Sequence, residues 1–356
     1  MTVRVLIIGA GRVAQHYSRI FRSGKLSGYN IVGICDIDEH RANALAGILE
    51  CSSYQSVDTA LECSNANLAL VLTPSGNHFD HASKCLSMGV NVLVEKPLSM
   101  KTHDCEKLAE MANSKGLLLC TAFQNRFNKA IIHAKSLLNN SLFGEIVSVS
   151  VRLRWCRLQD YYNDGWHGSW ELDGGVINQQ SIHHLDALLY LIGDVDSVVC
   201  TTTRRANNLE AEDTATALLY MKCGALATFE ATTAARPKDL EAAITITTTN
   251  GSISIGGLAL NTLSISSQSS SHTSDHNLIK EYSEEVLNGY GNGHVQLLTA
   301  VFGEIESGRL LPPIPLADSI KTTSLVHALY TSDELRTWIY TDSRPVSARL
   351  GSESLK

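Results

Sequence analysis

The sequence predicts an α/β protein: an N-terminal doubly wound parallel (Rossmann) sheet followed by a C-terminal α+β domain on an open, mostly antiparallel sheet. Three observations predict it. Over residues 3–122 short apolar runs alternate with helix-length amphipathic stretches, the rhythm of β-α-β units and of a parallel sheet buried on both faces. A glycine turn, Gly9-Ala10-Gly11, follows the first run directly. From residue 145 the pattern changes to strict apolar/polar alternation, the period of strands with one wet face.

VRVLII, at 3–8, is the first buried strand, and a helix follows at 12–23. YNIVGICD and a helix at 38–50, LALVLTP and a helix at 78–88, VNVLVEKP and a helix at 102–115, and finally GLLLCTAF complete the array. A helix at 127–139 then leads to GEIVSVSVRLRW. There Val147, Val149, Val151, Leu153 and Trp155 alternate with Ser148, Ser150, Arg152 and Arg154, which makes 145–155 one long strand. Strand-rich stretches follow at 195–205, at 212–234 with a turn at Lys222-Cys223-Gly224, and at 241–266 with a turn at Asn250-Gly251. A helix at 178–192 interrupts them. The serine-rich 266–276 is a loop, and 294–307 and 316–340 carry helical periods. The domains are expected at 1–123, binding a dinucleotide, and 124–356, binding substrate and forming an oligomer.

A chain of 356 residues is about twice the size of one hydrophobic core, consistent with two domains. With 44% hydrophobic and 18% charged residues it is globular rather than disordered. A net charge of -7 without a basic run excludes nucleic acid as the expected partner. No stretch approaches the roughly 18 apolar residues of a membrane span, and the N-terminal apolar run meets glycines rather than a cleavage site. The nine scattered cysteines contain no C-x-x-C, so neither disulfides nor a metal site are expected, and the cytoplasm is the expected location.

Gly9-Ala10-Gly11-Arg12-Val13-Ala14 matches G-x-G-x-x-G/A between a strand and a helix. The first glycine makes the turn, the second admits a pyrophosphate, and Ala14 allows close helix packing. Asp36 ends the next strand, where a carboxylate accepts both ribose hydroxyls and repels a 2′-phosphate, so NAD is favoured over NADP. Capping the next helix is the alternative role for Asp36. Ligands of open α/β sheets sit beyond the strands' carboxyl ends, which here carry Gly9, Asp36, Thr73-Pro74, Glu95-Lys96-Pro97 and Gln124-Asn125.

With Glu95-Lys96-Pro97 the chain resembles the glucose-fructose oxidoreductase/inositol dehydrogenase family (Gfo/Idh/MocA), two-domain NAD(P) enzymes acting on sugar hydroxyls. The resemblance extends over Gly9 to Ala14, Thr73-Pro74 with His78, Gln124-Asn125-Arg126-Phe127 and the helix carrying His183. Through Arg154-Trp155-Cys156-Arg157, Tyr161-Tyr162, Gly168-Ser169-Trp170 and Gly174-Gly175 it is most similar to the nucleotide-sugar branch, the UDP-N-acetylglucosaminuronate 3-dehydrogenases. It implies that Lys96 and His183 face the reacting carbon and that Arg12, Val13, His78, Glu95 and Gln124 line the cofactor. Gln179, His183, Asp186 and Tyr190 also share one helix face, and this polar stripe is expected to meet something wet. His184 points elsewhere. Two departures stand out: Gln179 occupies a position where the family has Asp or Asn, which removes an Asp–His relay at His183, and His167 occupies one where the branch has Arg.

Oxidising a secondary alcohol requires a proton acceptor and stabilisation of the developing alkoxide. Histidine as a residue type can take that proton at neutral pH, which assigns the first role to His183, and the Lys96 ammonium suits the second, with exchanged roles left open. Tyr161, Tyr162, Trp166 and Trp170 offer rings for sugar or uracil; Arg154 and Arg157 offer charge for a carboxylate or pyrophosphate; Asn125, Arg126 and Gln179 complete the expected substrate contacts. A nucleoside-diphosphate 3-ketosugar reductase and an inositol or simple sugar dehydrogenase use the same machinery. A nonenzymatic NAD sensor needs neither Lys96 nor His183.

Overall fold

The structure, a computed structural model, describes residues 2–140, 143–267, 280–286 and 288–352. It forms two compact units, Met1–Phe123 with His294–Thr323, and Gln124–Gly293 with Ser324–Lys356. The segment 294–323 therefore groups with the N-terminal unit, whereas the sequence pattern leaves all of 124–356 together. Apolar side chains explain the grouping. Leu316 and Ile320 pack on the first unit's core, and the Phe302 ring lies 5.7 Å from that of Tyr29.

In the first unit β1 (Val3–Ile8), β2 (Tyr29–Cys35), β3 (Ser52–Tyr54), β4 (Leu68–Val71), β5 (Asn91–Val94) and β6 (Leu119–Thr121) form one sheet, ordered β3-β2-β1-β4-β5-β6. Every pairing is parallel. The connecting helices are α1 (Arg12–Arg22), α2 (Glu39–Leu49), α3 (Val57–Cys63), α4 (His78–Ser87) and α5 (Thr102–Lys115). Leu6, Ile8, Val71, Val92 and Val94 are fully buried, because helices cover both faces, and so these strands read as unbroken apolar runs. β3 and α3 escape the pattern because Ser52 and Ser53 are exposed and form no apolar run. The order reverses between β1 and β4, and the carboxyl ends there form the ligand-binding edge of this architecture.

In the second unit β7 (Ile146–Arg154), β8 (Val195–Thr203), β9 (Thr214–Met221), β10 (Leu226–Thr232), β11 (Glu241–Thr248), β12 (Gly251–Gly256), β13 (Thr262–Ser267) and β14 (Ile339–Tyr340) make a sheet ordered β13-β12-β11-β7-β10-β9-β8-β14. β10 pairs parallel with β7; the other pairings are antiparallel. After α6 (Lys129–Leu138) and the short α7 (Gln159–Tyr162), α8 (Ile182–Ile192) packs on β7 and α6 packs on α8. Val149, Val151 and Leu153 are buried, and the alternate Ser148, Ser150, Arg152 and Arg154 face the opposite side of the sheet.

Three boundaries differ from expectation, each for a local reason. α8 starts at Ile182 rather than 178, because the Ser181 hydroxyl donates to the carbonyls of Val176 and Ile177 at 2.8 and 3.1 Å and holds a turn in place of a helical ladder. The second hairpin turns at Thr249-Asn250, since Gly251 already pairs with Thr248. The helix Leu316–Leu335 stops where Arg336 takes a φ of 55°, and β14 follows it. The helix Gly293–Ser307 is close to expectation. The expected serine-rich loop lies mainly outside the described residues.

Candidate active site

Gly9 follows β1 with a φ of 101°, and a Cβ there would stand 2.7 Å from the Leu72 carbonyl oxygen; only glycine fits. A Cβ on Gly11 would meet nothing within 4 Å, so the backbone borders open space. α1 begins at Arg12 without a side-chain cap, and the amides of its first turn, Arg12 and Val13 included, favour an anion. Asp36 Oδ2 accepts the Ala10 amide at 2.6 Å and Oδ1 the Asp38 amide at 2.9 Å. This carboxylate ties the glycine turn to the β2–α2 loop and retains acceptor sites for hydroxyls. Capping α2 falls instead to Asp38, which accepts the amides of His40 and Arg41. Ile37 is 94% exposed. Sequence reasoning passed over this apolar side chain at the binding edge; its signal is an isoleucine between two aspartates. An open, glycine-lined turn at a helix N-terminus, a hydroxyl-reading acid and an apolar surface together fit a dinucleotide.

The neighbouring strand ends carry Thr73-Pro74 and Glu95-Lys96-Pro97. Thr73 and Lys96 are half-buried, and the Thr73 hydroxyl lies 3.0 Å from His81 Nδ1. His78 is buried, with Nδ1 2.6 Å from the Pro97 carbonyl oxygen and Nε2 2.9 Å from that of Thr73. Glu95, also buried, accepts the Tyr17 hydroxyl at 3.0 Å and the Lys96 amide at 3.2 Å. His294 Nε2 lies 3.7 Å from the same carboxylate, and the His294 ring stands edge-on to His16. Burial, reinforced by Glu95, raises the Tyr17 phenol well above its usual range, so it stays a donor. Burial and then His294 hold His16 down to about 4, so it is neutral. His78 and Glu95, expected to line the cofactor, make these contacts with Pro97, Thr73, Tyr17 and the Lys96 amide, and so support the loops at this edge.

The second unit opens on two buried acceptors, Gln124 Oε1 and Asn125 Oδ1, that have no hydrogen-bond partner among the described residues. Orphaned buried acceptors are rare. Arg126 grips Asp186 with two hydrogen bonds, Nε at 2.8 Å and Nη2 at 2.7 Å, and its guanidinium lies 4.9 Å over the Tyr190 ring. The polar stripe of α8 therefore divides. Asp186 and Tyr190 meet Arg126, which anchors 124–127 to α8, while His183 remains half-buried. The Gln179 amide donates to Asp173. His184 is buried, has no partner at either ring nitrogen among the described residues and is held by burial down to about 4.

Rings and cations gather after β7. The Arg157 guanidinium lies 4.9 Å over Trp155 and 5.7 Å over Tyr161, and donates to Asp239 at 3.1 Å. The His167 ring packs 3.7 Å from Trp166 and 4.3 Å from Tyr161, with Nδ1 2.6 Å from Asp164. An Asp–His pair thus exists at 164 and 167. Burial pushes Asp164 up, but His167 outweighs it and leaves the carboxyl below its usual value. Tyr162 is a core aromatic, its hydroxyl 2.8 Å from that of Thr233, and Trp170 stands edge-on to Tyr330. Arg154 is not brought to the His183 side. On the sheet face opposite α8 it makes two 2.6 Å bonds to Glu230 and one of 3.2 Å to Glu241. Among the described residues no cluster could hold a metal ion.

Two family models match the chain: the oxidoreductase family with NAD-binding Rossmann fold, over residues 3–123, and the GFO/IDH/MocA C-terminal domain, over 131–254. Among solved structures, the chain is similar to the WlbA dehydrogenase from Bordetella pertussis in complex with NADH and UDP-GlcNAcA, with 30% identity, a TM-score of 0.88, and 95% of this chain and 97% of that one covered. Among curated proteins it is similar to the 2,7-anhydro-N-acetylneuraminate hydratase of Mediterraneibacter gnavus, 26% identical with 56% of this chain and 52% of that protein covered. It is also similar to the D-glucoside 3-dehydrogenase of Escherichia coli, 28% identical with 54% of each covered. The chain spans about half the length of these two curated relatives.

Proposed function

The chain belongs to the GFO/IDH/MocA oxidoreductase family, and from that premise we propose an NAD-dependent dehydrogenase acting on a secondary hydroxyl of a sugar, C3 of a nucleotide sugar such as UDP-N-acetylglucosaminuronate. The observation that carries the nucleotide-sugar reading is the similarity over 95% of the chain to a dehydrogenase crystallised with NADH and UDP-GlcNAcA. Arg157 between Trp155 and Tyr161, with Trp166 and His167 beside them, supports it by offering stacking surfaces and cationic character suited to such a substrate.

Bound NAD supplies the hydride acceptor. His183 takes the hydroxyl proton, and Lys96 stabilises the alkoxide as it forms. Gln124 and Asn125 accept hydrogen bonds from ligand groups, and Gln179, fixed by Asp173, orients a hydroxyl. Asp36 selects NAD. The open face of the second unit's sheet forms a homodimer or a dimer of dimers, and nine cysteines outside any disulfide suit a reducing cytoplasm. No helix among the described residues is long and apolar enough to cross a membrane.

The test is NADH formation with UDP-sugars, inositols and free sugars, followed by product analysis. Turnover with UDP-N-acetylglucosaminuronate supports the reading. Turnover with inositol or a free sugar alone moves the chain to the simple sugar dehydrogenases. Reduction only of a 3-ketosugar fixes the opposite direction, and NADH binding without turnover on the whole panel makes it a sensor.

A further inference from the structure

Lys96 has its main chain held on both sides. On its N-terminal side the Glu95 carboxylate, fixed by Tyr17, accepts the Lys96 amide. On its C-terminal side the Pro97 carbonyl meets the buried His78 ring at 2.6 Å, and the other ring nitrogen lies 2.9 Å from the Thr73 carbonyl. His78 starts α4, so one side chain joins a helix N-terminus to the loops that follow β4 and β5. A neutral imidazole has one N–H and serves one carbonyl, while an imidazolium serves both. Burial opposes the charged form, the two carbonyls and Glu95 favour it, Lys96 opposes it, and the net direction is down. The neutral ring therefore has one proton to give. The shorter contact places it on Nδ1, toward Pro97, and leaves the Thr73 carbonyl in close approach only.

We propose that His78 is a positioning residue for Lys96: by donating from Nδ1 to the Pro97 carbonyl it fixes the loop that aims the lysine, without itself touching cofactor or substrate. The proposal rests on the reading of Lys96 as a chemical group. Its test uses the geometry of side-chain amides, since an asparagine nitrogen falls near the Nδ1 position of histidine and a glutamine nitrogen near Nε2. His78→Asn thus keeps the Pro97 contact and loses that to Thr73, His78→Gln does the reverse, and His78→Ala loses both.

Three quantities are measured on the full chain: the Kd of NADH by fluorescence titration, the melting temperature, and kcat per NADH-binding site with NAD and the best substrate of the screen above. Normalising to binding sites removes any misfolded fraction. His78→Asn is expected within about threefold of wild-type kcat, and His78→Gln and His78→Ala are expected to lose roughly tenfold to a hundredfold, the cost of misaiming a chemical group by a fraction of an ångström to one ångström. NADH Kd is expected to stay within about threefold in all three. Equal losses in the Asn and Gln variants, a better Gln than Asn variant, no loss at all, or a loss confined to NADH affinity each overturn the proposal. Lys96→Met separates the premise from the inference: if it keeps its turnover the reading of Lys96 fails, and if it loses turnover while the His78 series stays flat only the positioning role fails.

Discussion

The roles proposed for His183, proton acceptor, and Lys96, alkoxide stabiliser, make a strong demand on single side chains. We predict that Lys96→Met and His183→Ala each lose roughly 10²- to 10⁴-fold in kcat, the range for deleting an acid/base group, while NADH still binds. His184 is the internal control. It is buried against Trp155, so His184→Ala leaves a cavity that lowers the melting temperature, yet kcat per binding site stays near wild type; near-normal turnover in either of the first two variants refutes the assignment. For the cofactor, Asp36 holds the glycine turn through Ala10 and is proposed to accept the ribose hydroxyls, so we predict a preference for NADH over NADPH that narrows in Asp36→Ala. A wild-type chain binding NADPH tenfold tighter than NADH would sink that prediction. Gly9 and Asp36 were legible in the sequence because a backbone turn and a strand end dictate the residue type. Arg126 with Asp186 and Tyr17 with Glu95 were not, since the partners lie 60 and 78 residues apart and only the folded chain shows which polar group neutralises which.

Between residue and molecule stands the turn that launches α8. Its hidden support is Glu212, whose Oε1 accepts the Ile177 amide at 3.0 Å and the Tyr330 hydroxyl at 2.9 Å. Oε2 has no partner among the described residues, and a Cβ on Gly175 would lie 2.2 Å from it, which accounts for a glycine there. Burial lifts the carboxyl from 4.5 to about 7. Between those values the folded chain keeps a proton that the unfolded chain has released, so the stabilisation is complete below about pH 4.5 and is lost as pH rises through about 7. Glutamine imitates the protonated acid. We predict that Glu212→Gln melts with wild type at about pH 5 and above it at about pH 8; a gap that does not change with pH means that Glu212 does not titrate in this window. Periodicity shows α8 as an element, but not where it begins, because the Ser181 hydroxyl competes with the helix in a way that apolar spacing does not record. The three-residue β3 is too short to have a period at all.

At the scale of the whole molecule, the first unit was readable because both faces of its sheet are covered, and the second because one face is not. The clean alternation of 145–155 predicts an open face, and the runs TATALLY at 214–220 and ALATFEAT at 225–232 leave that face partly apolar. The structure shows what occupies it. Leu218, Tyr220 and Leu226 are each about half exposed, Tyr220 lies opposite Leu226 in register, and the Trp338 ring stands 5.4 Å from Tyr220. Farther along the same face Arg152 and Arg154 pair with Glu230 and Glu241, two cations balanced by two anions. Sequence alone does not show this balance, and it matters, because a face whose charges are already paired can be covered without stranding one. An apolar patch beside a neutral network has the anatomy of an interface core with its rim. We predict that the chain assembles through this face as a homodimer or a dimer of dimers, and that Leu218→Asp or Leu226→Lys shifts it toward monomer with little change in the fold of either unit. Light scattering at micromolar concentration decides. A wild-type mass of 38.7 kDa contradicts the assembly, and a larger mass that survives both substitutions keeps the oligomer but moves its interface to another surface.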